Sequence, residues 1–128
     1  MPKTMKDFVA EARARTNGSV QPDKVDGLVL DVREPHELDA DGRVPGAVHV
    51  SRGFLEAKAD VTNDAGEKAL HEAHASGRAV HVLCASGARA SLAAATLNDM
   101  GYVAKPIEGG LKAWRDAGRP VETGKAGS

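Results

Sequence analysis

The sequence has a single cysteine, Cys84, and few aromatic residues: one tryptophan, one tyrosine and two phenylalanines in 128 residues. One cysteine excludes an intramolecular disulfide and does not favour a metal site built on thiolates. Scarce aromatics leave no platform on which nucleic-acid bases would stack.

No apolar run approaches membrane length, and the N-terminus lacks the apolar core of a signal peptide. A lone thiol suits a reducing compartment. We therefore predict a cytoplasmic protein without nucleic-acid or membrane partners.

Charge and length point to one ordinary globular domain. The 17 basic and 18 acidic residues leave a net charge of -1, and they form no block of one sign. A chain of this length can bury a sufficient core without a disulfide or metal. We expect an N-terminal helix and lead-in over residues 1–22, one domain over 23–123 and a flexible tail over 124–128. Thr4 and Asp7 have the spacing of a capping box that starts the helix.

Short apolar strands alternate with helical patterns along the rest of the chain. After the first strand, Pro35 is expected to lead the chain away, and residues 39–42 are expected to form a loop. This alternation predicts an α/β fold, with a mainly parallel sheet and helices on both faces. The expected strands cover residues 27–32, 47–50, 79–84 and 103–107, and the later helices cover 65–75, 88–100 and 110–117.

Cys84 stands at the end of the best predicted strand, where open parallel sheets bind their ligands. The loop that follows is small and flexible: Ala85, Ser86, Gly87, Ala88 and Arg89. Its backbone amides can curl around the sulfur, and the start of the next helix adds partial positive charge. Such a nest stabilises a thiolate and binds anions, and Arg89 adds a cation suited to an oxyanion. The alternative is a buried cysteine that only packs.

Two chemistries use a loop of this kind: phosphoryl transfer through a cysteinyl phosphate, and sulfur transfer through a cysteinyl persulfide. Four residues separate Cys84 from Arg89, whereas cysteine phosphatases typically hold one more. A shorter loop makes a smaller pocket, which favours a single sulfur atom over a tetrahedral phosphate. A small phosphatase or arsenate reductase remains the less favoured alternative.

Several segments together resemble the rhodanese family. They are Leu30–Glu34, Arg43–His49, Cys84–Ala90, Glu108–Trp114 and Ala117–Val121, and they occur in the family's order. The resemblance implies a sheet of about five parallel strands flanked by helices. It implies persulfide chemistry at Cys84, with the donor's oxyanion bound by Arg89 and by the backbone amides of residues 85–89.

The function implied is a sulfurtransferase that needs no cofactor. A sulfane sulfur would move from thiosulfate or a similar donor to cyanide, a small thiol or a protein thiol. A persulfide carrier in a protein relay and a non-catalytic binding module are the alternatives from other classes. No metal site is predicted, because His71 and His74, three residues apart, have no third ligand near them in sequence.

Four further residues are expected near the site in supporting positions. Asp31 and Arg33 end a strand and are expected to form an ion pair or hydrogen-bond network. Arg52 follows another strand, where it either widens the positive rim of the pocket or lies solvated in a loop. Glu108 either braces the active-site loop or serves only as a turn carboxylate.

Overall fold

The computed structural model describes residues 1–123, and the tail predicted at 124–128 lies outside the described residues. The strands are β1 (Leu28–Asp31), β2 (Val48–His49), β3 (Ala79–Leu83) and β4 (Val103–Pro106). The helices are α1 (Met5–Arg15), α2 (Pro35–Asp41), α3 (Leu55–Ala59), α4 (Lys68–Ser76), α5 (Ala88–Asp99) and α6 (Gly110–Asp116). Within residues 1–123, no helix has the length and apolar character needed to span a bilayer.

The four strands form one parallel sheet in the order β2-β1-β3-β4. The predicted α/β class is therefore confirmed. In the register of the central pair, Leu30 lies opposite Val82 and Asp31 opposite Leu83. The two strands thus finish at the same edge of the sheet, and the residues that follow them share that edge.

Among residues 1–123 the sheet has four strands, one fewer than the expected count of about five. The fifth position is held by Val20, which forms a single parallel bridge with Ile107 at the end of β4. Its amide donates to the Pro106 carbonyl at 2.9 Å, and its carbonyl accepts from the Glu108 amide at 2.8 Å. Five residues separate Thr16, which caps α1, from the 3₁₀ turn that begins at Pro22, and two of them, Asn17 and Gly18, have the positive φ of a turn rather than a strand.

Helices cover both faces of the sheet, as predicted. On one face, Leu30 of β1 and Val82 of β3 pack in a core with residues of α3, α4 and α5. On the other face, Val29 and Leu83 pack with Trp114 of α6. Strands buried on both sides explain the continuous apolar runs in the sequence. The first helix packs on α5 rather than on the sheet, with Ala12 buried in the contact.

The segment after β1 is a helix, α2, where the sequence predicted a departing chain and a loop over 39–42. Pro35 occupies the first helical turn, where the missing N–H removes no hydrogen bond and the fixed φ favours the helix. The Glu34 amide donates to the Glu37 carboxylate at 2.7 Å, which caps the helix start. Leu38 anchors the helix in the core. Pro35 therefore both prevents β1 from continuing and begins α2.

Candidate active site

Cys84 follows β3 directly and lies at the centre of the loop that leads into α5. The residue is 1% exposed. Its sulfur accepts two backbone hydrogen bonds, from the Gly87 amide at 3.0 Å and the Ala90 amide at 3.4 Å. The Leu111 amide, at the start of α6, donates to the Cys84 carbonyl oxygen at 2.9 Å. The cysteine is therefore held from both the α5 and the α6 side.

The hydrogen bonds to the Cys84 sulfur suit a negatively charged sulfur atom. Each backbone N–H presents partial positive charge, and the first turn of α5 adds the unpaired amides of a helix N-terminus. Hydrogen bonds to an ionised acceptor are stronger than those to a neutral one. A cysteine that served only to fill space would gain little from two such donors. The two amides therefore place partial positive charge directly at the Cys84 sulfur.

The outer part of the loop is open to solvent. Ala85 and Ser86 are exposed, whereas Gly87 is buried beneath them. Ala85 also lines a cleft of about 210 Å³ that opens toward α6. Residues of both charges surround this cleft, among them Lys112 and Arg115. A small reactant can reach the loop from this side.

Arg89 forms a bidentate ion pair with Glu37 of α2. The two terminal nitrogens lie 2.8 Å from the two carboxylate oxygens. The Arg89 hydrogen bonds hold the pKa of the Glu37 carboxyl well below its usual range, at about 2. The same contact, followed by the charges of Glu37 and Cys84, raises the pKa of Arg89. The arginine thus stands beside the loop with its charge largely compensated by a carboxylate.

Asp31 and Arg33 form a buried ion pair, each with a side chain that is 1% exposed. A terminal nitrogen of Arg33 lies 2.8 Å from the Asp31 carboxylate and also donates to the Gly42 carbonyl at 2.8 Å. A weaker bond of 3.4 Å reaches the Glu37 carbonyl. Arg33 therefore fixes α2 to the end of β1. Since α2 carries Glu37, this pair also positions the partner of Arg89.

Glu108 lies between the N-terminal segment and the loop. It accepts a hydrogen bond from the Ser19 hydroxyl and faces the Arg13 guanidinium at 3.7 Å. Arg13 in turn donates to the hydroxyl of Ser91 on α5 at 3.3 Å. Glu108 is thus tied to α1 and, through Arg13, to the first turn of α5.

Arg52 points to a different part of the molecule. It pairs with Glu56 at 2.9 Å and donates to the Thr96 hydroxyl at 3.3 Å. With Phe8 of α1 it lines a groove of about 530 Å³ between α1 and α5. Its backbone amide does bond the Val32 carbonyl at the strand end. Its side chain belongs to the groove, and the residues that line the groove include none from the Cys84 loop.

Sequence reasoning missed two residues that the fold brings to the loop, Glu37 and Arg13. Glu37 sits at the third position after the helix cap Glu34, and Pro35 stands in the first turn. That spacing is a recognisable helix-start signal and could have been found. Arg13 carries no such signal, because its role depends on how α1 packs on α5. Within residues 1–123, no three metal-ligating side chains come together.

Comparisons with known proteins agree with this architecture. YtwF of Bacillus subtilis, a proposed sulfurtransferase, is 28% identical over 92 residues, which are 72% of this chain and 77% of that protein. A protein of unknown function from Rhodopseudomonas palustris, described as a possible tyrosine phosphatase, is 32% identical with a TM-score of 0.82. That alignment covers 95% of this chain and 99% of the other.

Another solved structure is the polysulfide-sulfur transferase homodimer from Wolinella succinogenes. It is 28% identical, covers 92% of this chain and 88% of its own, and has a TM-score of 0.60. The rhodanese-like domain family matches residues 11–117, which include every strand, the Cys84 loop and the residues paired around it. This chain therefore belongs to the rhodanese-like domain family.

Proposed function

We propose that this protein is a sulfurtransferase that carries sulfane sulfur as a persulfide on Cys84. The observation that carries the proposal is the buried Cys84 sulfur, which accepts backbone N–H groups from Gly87 and Ala90 at the start of α5. Membership of the rhodanese-like family and the sulfurtransferase names of two relatives support the general activity. Thiosulfate as the donor, and the persulfide itself, are the finer parts of the proposal.

The first step is an attack of the Cys84 thiolate on the outer sulfur of thiosulfate. A new S–S bond forms to Cys84, the S–S bond of thiosulfate breaks, and sulfite leaves with the bonding electron pair. One negative charge remains on the protein, now on the terminal sulfur of the persulfide. The amides that stabilise the thiolate also stabilise this sulfur, because both bear the same charge in nearly the same place.

The second step returns the enzyme to its starting state. A nucleophilic acceptor, such as cyanide, a small thiol or a protein thiol, attacks the terminal sulfur. The S–S bond of the persulfide breaks, and its electron pair restores the Cys84 thiolate. With cyanide the product is thiocyanate. Cys84 is the only cysteine of the sequence, so no disulfide within the chain competes with the acceptor.

Arg89 is proposed to bind the oxyanion end of the donor together with the loop amides of residues 85–89. Its pairing with Glu37 uses one N–H of each terminal nitrogen, and a guanidinium has five N–H donors. The remaining donors stay free for a sulfonate group. Arg89→Gln alone would leave the Glu37 carboxylate unpaired. The double variant Arg89→Gln, Glu37→Gln removes both charges and isolates the effect on donor binding, seen as a raised KM for thiosulfate.

The test is thiocyanate formation from thiosulfate and cyanide by wild-type protein and Cys84→Ser. Turnover by the wild type alone supports sulfur transfer through Cys84. Mass spectrometry after thiosulfate treatment, without reductant, should find one added sulfur, and a lone cysteine makes its position unambiguous. A wild-type protein that gains no sulfur under saturating donor contradicts the mechanism. Sulfur that is gained but not passed to cyanide instead favours a persulfide carrier in a protein relay.

A second candidate function is phosphate-ester or arsenate chemistry at the same loop. The relative from Rhodopseudomonas palustris has been described as a possible tyrosine phosphatase, and a thiolate with a nearby arginine suits both reactions. Hydrolysis of an aryl phosphate without thiosulfate turnover would favour it. For either chemistry we propose a reducing compartment such as the cytoplasm, because the thiol has to remain reduced.

A further inference from the structure

The side chain of Arg13 reaches from the N-terminal helix to the loop around Cys84. Arg13 lies on the side of α1 that packs against α5, next to the buried Ala12. Its Nε donates to the hydroxyl of Ser91 at 3.3 Å. Ser91 is fully buried in the first turn of α5. An N-terminal helix that only covered the domain would not need this contact.

The Ser91 hydroxyl continues the connection to the loop. It donates to the Gly87 carbonyl oxygen at 2.8 Å, and the Ser91 amide donates to the same oxygen at 3.0 Å. Gly87 has a φ of 108°, a backbone conformation that residues other than glycine rarely adopt. Its amide donates to the Cys84 sulfur. The Gly87 N–H and carbonyl belong to successive peptide groups joined at its Cα, so the bonds at the carbonyl restrain the residue whose N–H points at the sulfur.

The Arg13 guanidinium is itself held against the loop. A Cβ placed on Gly87 would lie 3.6 Å from a terminal nitrogen of Arg13. The other terminal nitrogen faces the Glu108 carboxylate oxygen that also accepts from the Ser19 hydroxyl. The guanidinium is thus positioned between Glu108 and the loop, with its cationic group next to Gly87.

We propose that Arg13 is a positioning residue for Cys84. It acts through Ser91 on the Gly87 carbonyl, which restrains the Gly87 backbone so that its N–H stays directed at the sulfur, and it adds a positive charge beside the loop. In the sulfur-transfer reaction, on which this assignment rests, the same geometry stabilises both the thiolate and the persulfide. The N-terminal helix is then a part of the active site rather than a cover for the domain.

The test measures the reactivity of Cys84 with iodoacetamide as a function of pH. This neutral reagent reports the thiolate without requiring sulfur transfer. Arg13→Gln should slow alkylation at pH 7 by about three- to ten-fold, since it removes a hydrogen bond that supports the loop. Arg13→Lys keeps the charge and should recover part of the loss. Arg15→Gln removes the same charge from the same helix, but Arg15 pairs with Asp99 at the surface, so alkylation should not change.

Identical alkylation profiles for Arg13→Gln and Arg15→Gln would overturn the assignment. Should Arg13→Gln also lower Tm, Ser91→Ala decides the matter, since it removes the same link and leaves α1 intact. Slowed alkylation in Ser91→Ala supports the proposal, and a wild-type profile refutes it. Thiosulfate turnover is measured in parallel. A wild type that transfers no sulfur, combined with slow alkylation in Arg13→Gln, would remove the proposed function but keep the role of Arg13.

Discussion

Glu37 and Arg89 face each other through two hydrogen bonds of 2.8 Å, although they lie 52 positions apart in the sequence. One comes from α2, which begins after β1, and the other from the first turn of α5, which follows β3. Because β1 and β3 are parallel neighbours, the two helix starts meet at one edge of the sheet. The pair joins the Cys84 loop to α2, and through Arg33 to the buried end of β1.

Replacing Glu37 by glutamine should lower stability at neutral pH. The variant keeps the shape of the side chain and one acceptor, but loses the charge that faces Arg89. A charge-assisted bidentate pair that is partly shielded from solvent is worth about 1–2 kcal/mol. Urea unfolding at pH 7 measures the loss. A variant as stable as the wild type would mean that the pair contributes nothing to folding.

The pH dependence of that loss follows from the low pKa of Glu37, about 2 against an ordinary 4.5. A carboxyl whose pKa is depressed by folding adds stability that is full above the unfolded value and disappears as pH falls toward the folded one. The stability difference between wild type and Glu37→Gln should therefore be constant above about pH 5 and shrink between about pH 4.5 and 2. Unfolding curves of both proteins across this range provide the measurement. A difference that stayed constant down to pH 2 would contradict the assignment.

Because α6 approaches the active-site loop closely, a larger residue at Gly110 should lower the stability of the protein. Its φ is 65°, and a Cβ there would lie 2.5 Å from both the Cys84 carbonyl oxygen and the Ala85 carbonyl carbon. Gly110→Ala should cost about 2–5 kcal/mol, from backbone strain and from the clash together. It should also slow Cys84 alkylation, because the clash displaces the cysteine backbone.

Gly118→Ala is the matched control for this change. Gly118 has a similar φ of 76°, but nothing lies within 4 Å of the position its Cβ would take. Only the backbone strain of about 1–2 kcal/mol should remain. Thermal unfolding of both variants, together with their alkylation rates, makes the comparison. Equal losses in the two variants would show that strain, and not the contact with Cys84, dominates at Gly110.

The parts of the fold that follow from local sequence were predictable. The helix after Thr4 begins with the expected capping box, and α5 starts at Ala88 as predicted. The continuous apolar runs of β1 and β3 predicted the buried parallel sheet, in which β4 is the last strand. The capping residues and apolar runs that predict these elements lie within the elements themselves or next to them in the sequence.

The parts that depend on packing were not predictable in the same way. Pro35 was interpreted only as the end of a strand, so α2 and its residue Glu37 were missed. Arg13 gains its position from the contact of α1 with α5, which no local pattern encodes. The fifth strand implied by the family resemblance is reduced to the bridge at Val20, because this residue lies between the turn at Asn17 and Gly18 and the 3₁₀ turn that begins at Pro22. Long-range pairing therefore decides both the strand count and the surroundings of the cysteine.

The position of Arg52 predicts that it is not needed for turnover. Its side chain pairs with Glu56 and Thr96 in the groove between α1 and α5. Arg52→Gln should keep kcat/KM for thiosulfate within about two-fold of wild type, since a partly exposed pair of this kind contributes about 1 kcal/mol or less. Arg89→Gln, measured in the same assay, should have a larger effect. A loss for Arg52→Gln that matched that of Arg89→Gln would place Arg52 in the reaction.

Asp31 is expected to be the most sensitive carboxylate for folding. It is the charged partner of Arg33, and both side chains are 1% exposed. Asp31→Asn keeps the volume but leaves a buried guanidinium without its counter-charge, which typically costs about 3–5 kcal/mol. Asp99→Asn is the control, because Asp99 pairs with Arg15 at the surface, where both side chains are at least half exposed. That change should cost about 1 kcal/mol or less. Denaturant unfolding of the two variants measures this difference in the free energy of unfolding.

The same change should also affect the reactivity of Cys84. Since Arg33 also holds α2 through the Gly42 carbonyl, Cys84 in a folded Asp31→Asn protein should be alkylated more slowly. A destabilised variant with wild-type alkylation would separate the stability of the fold from the geometry of the loop.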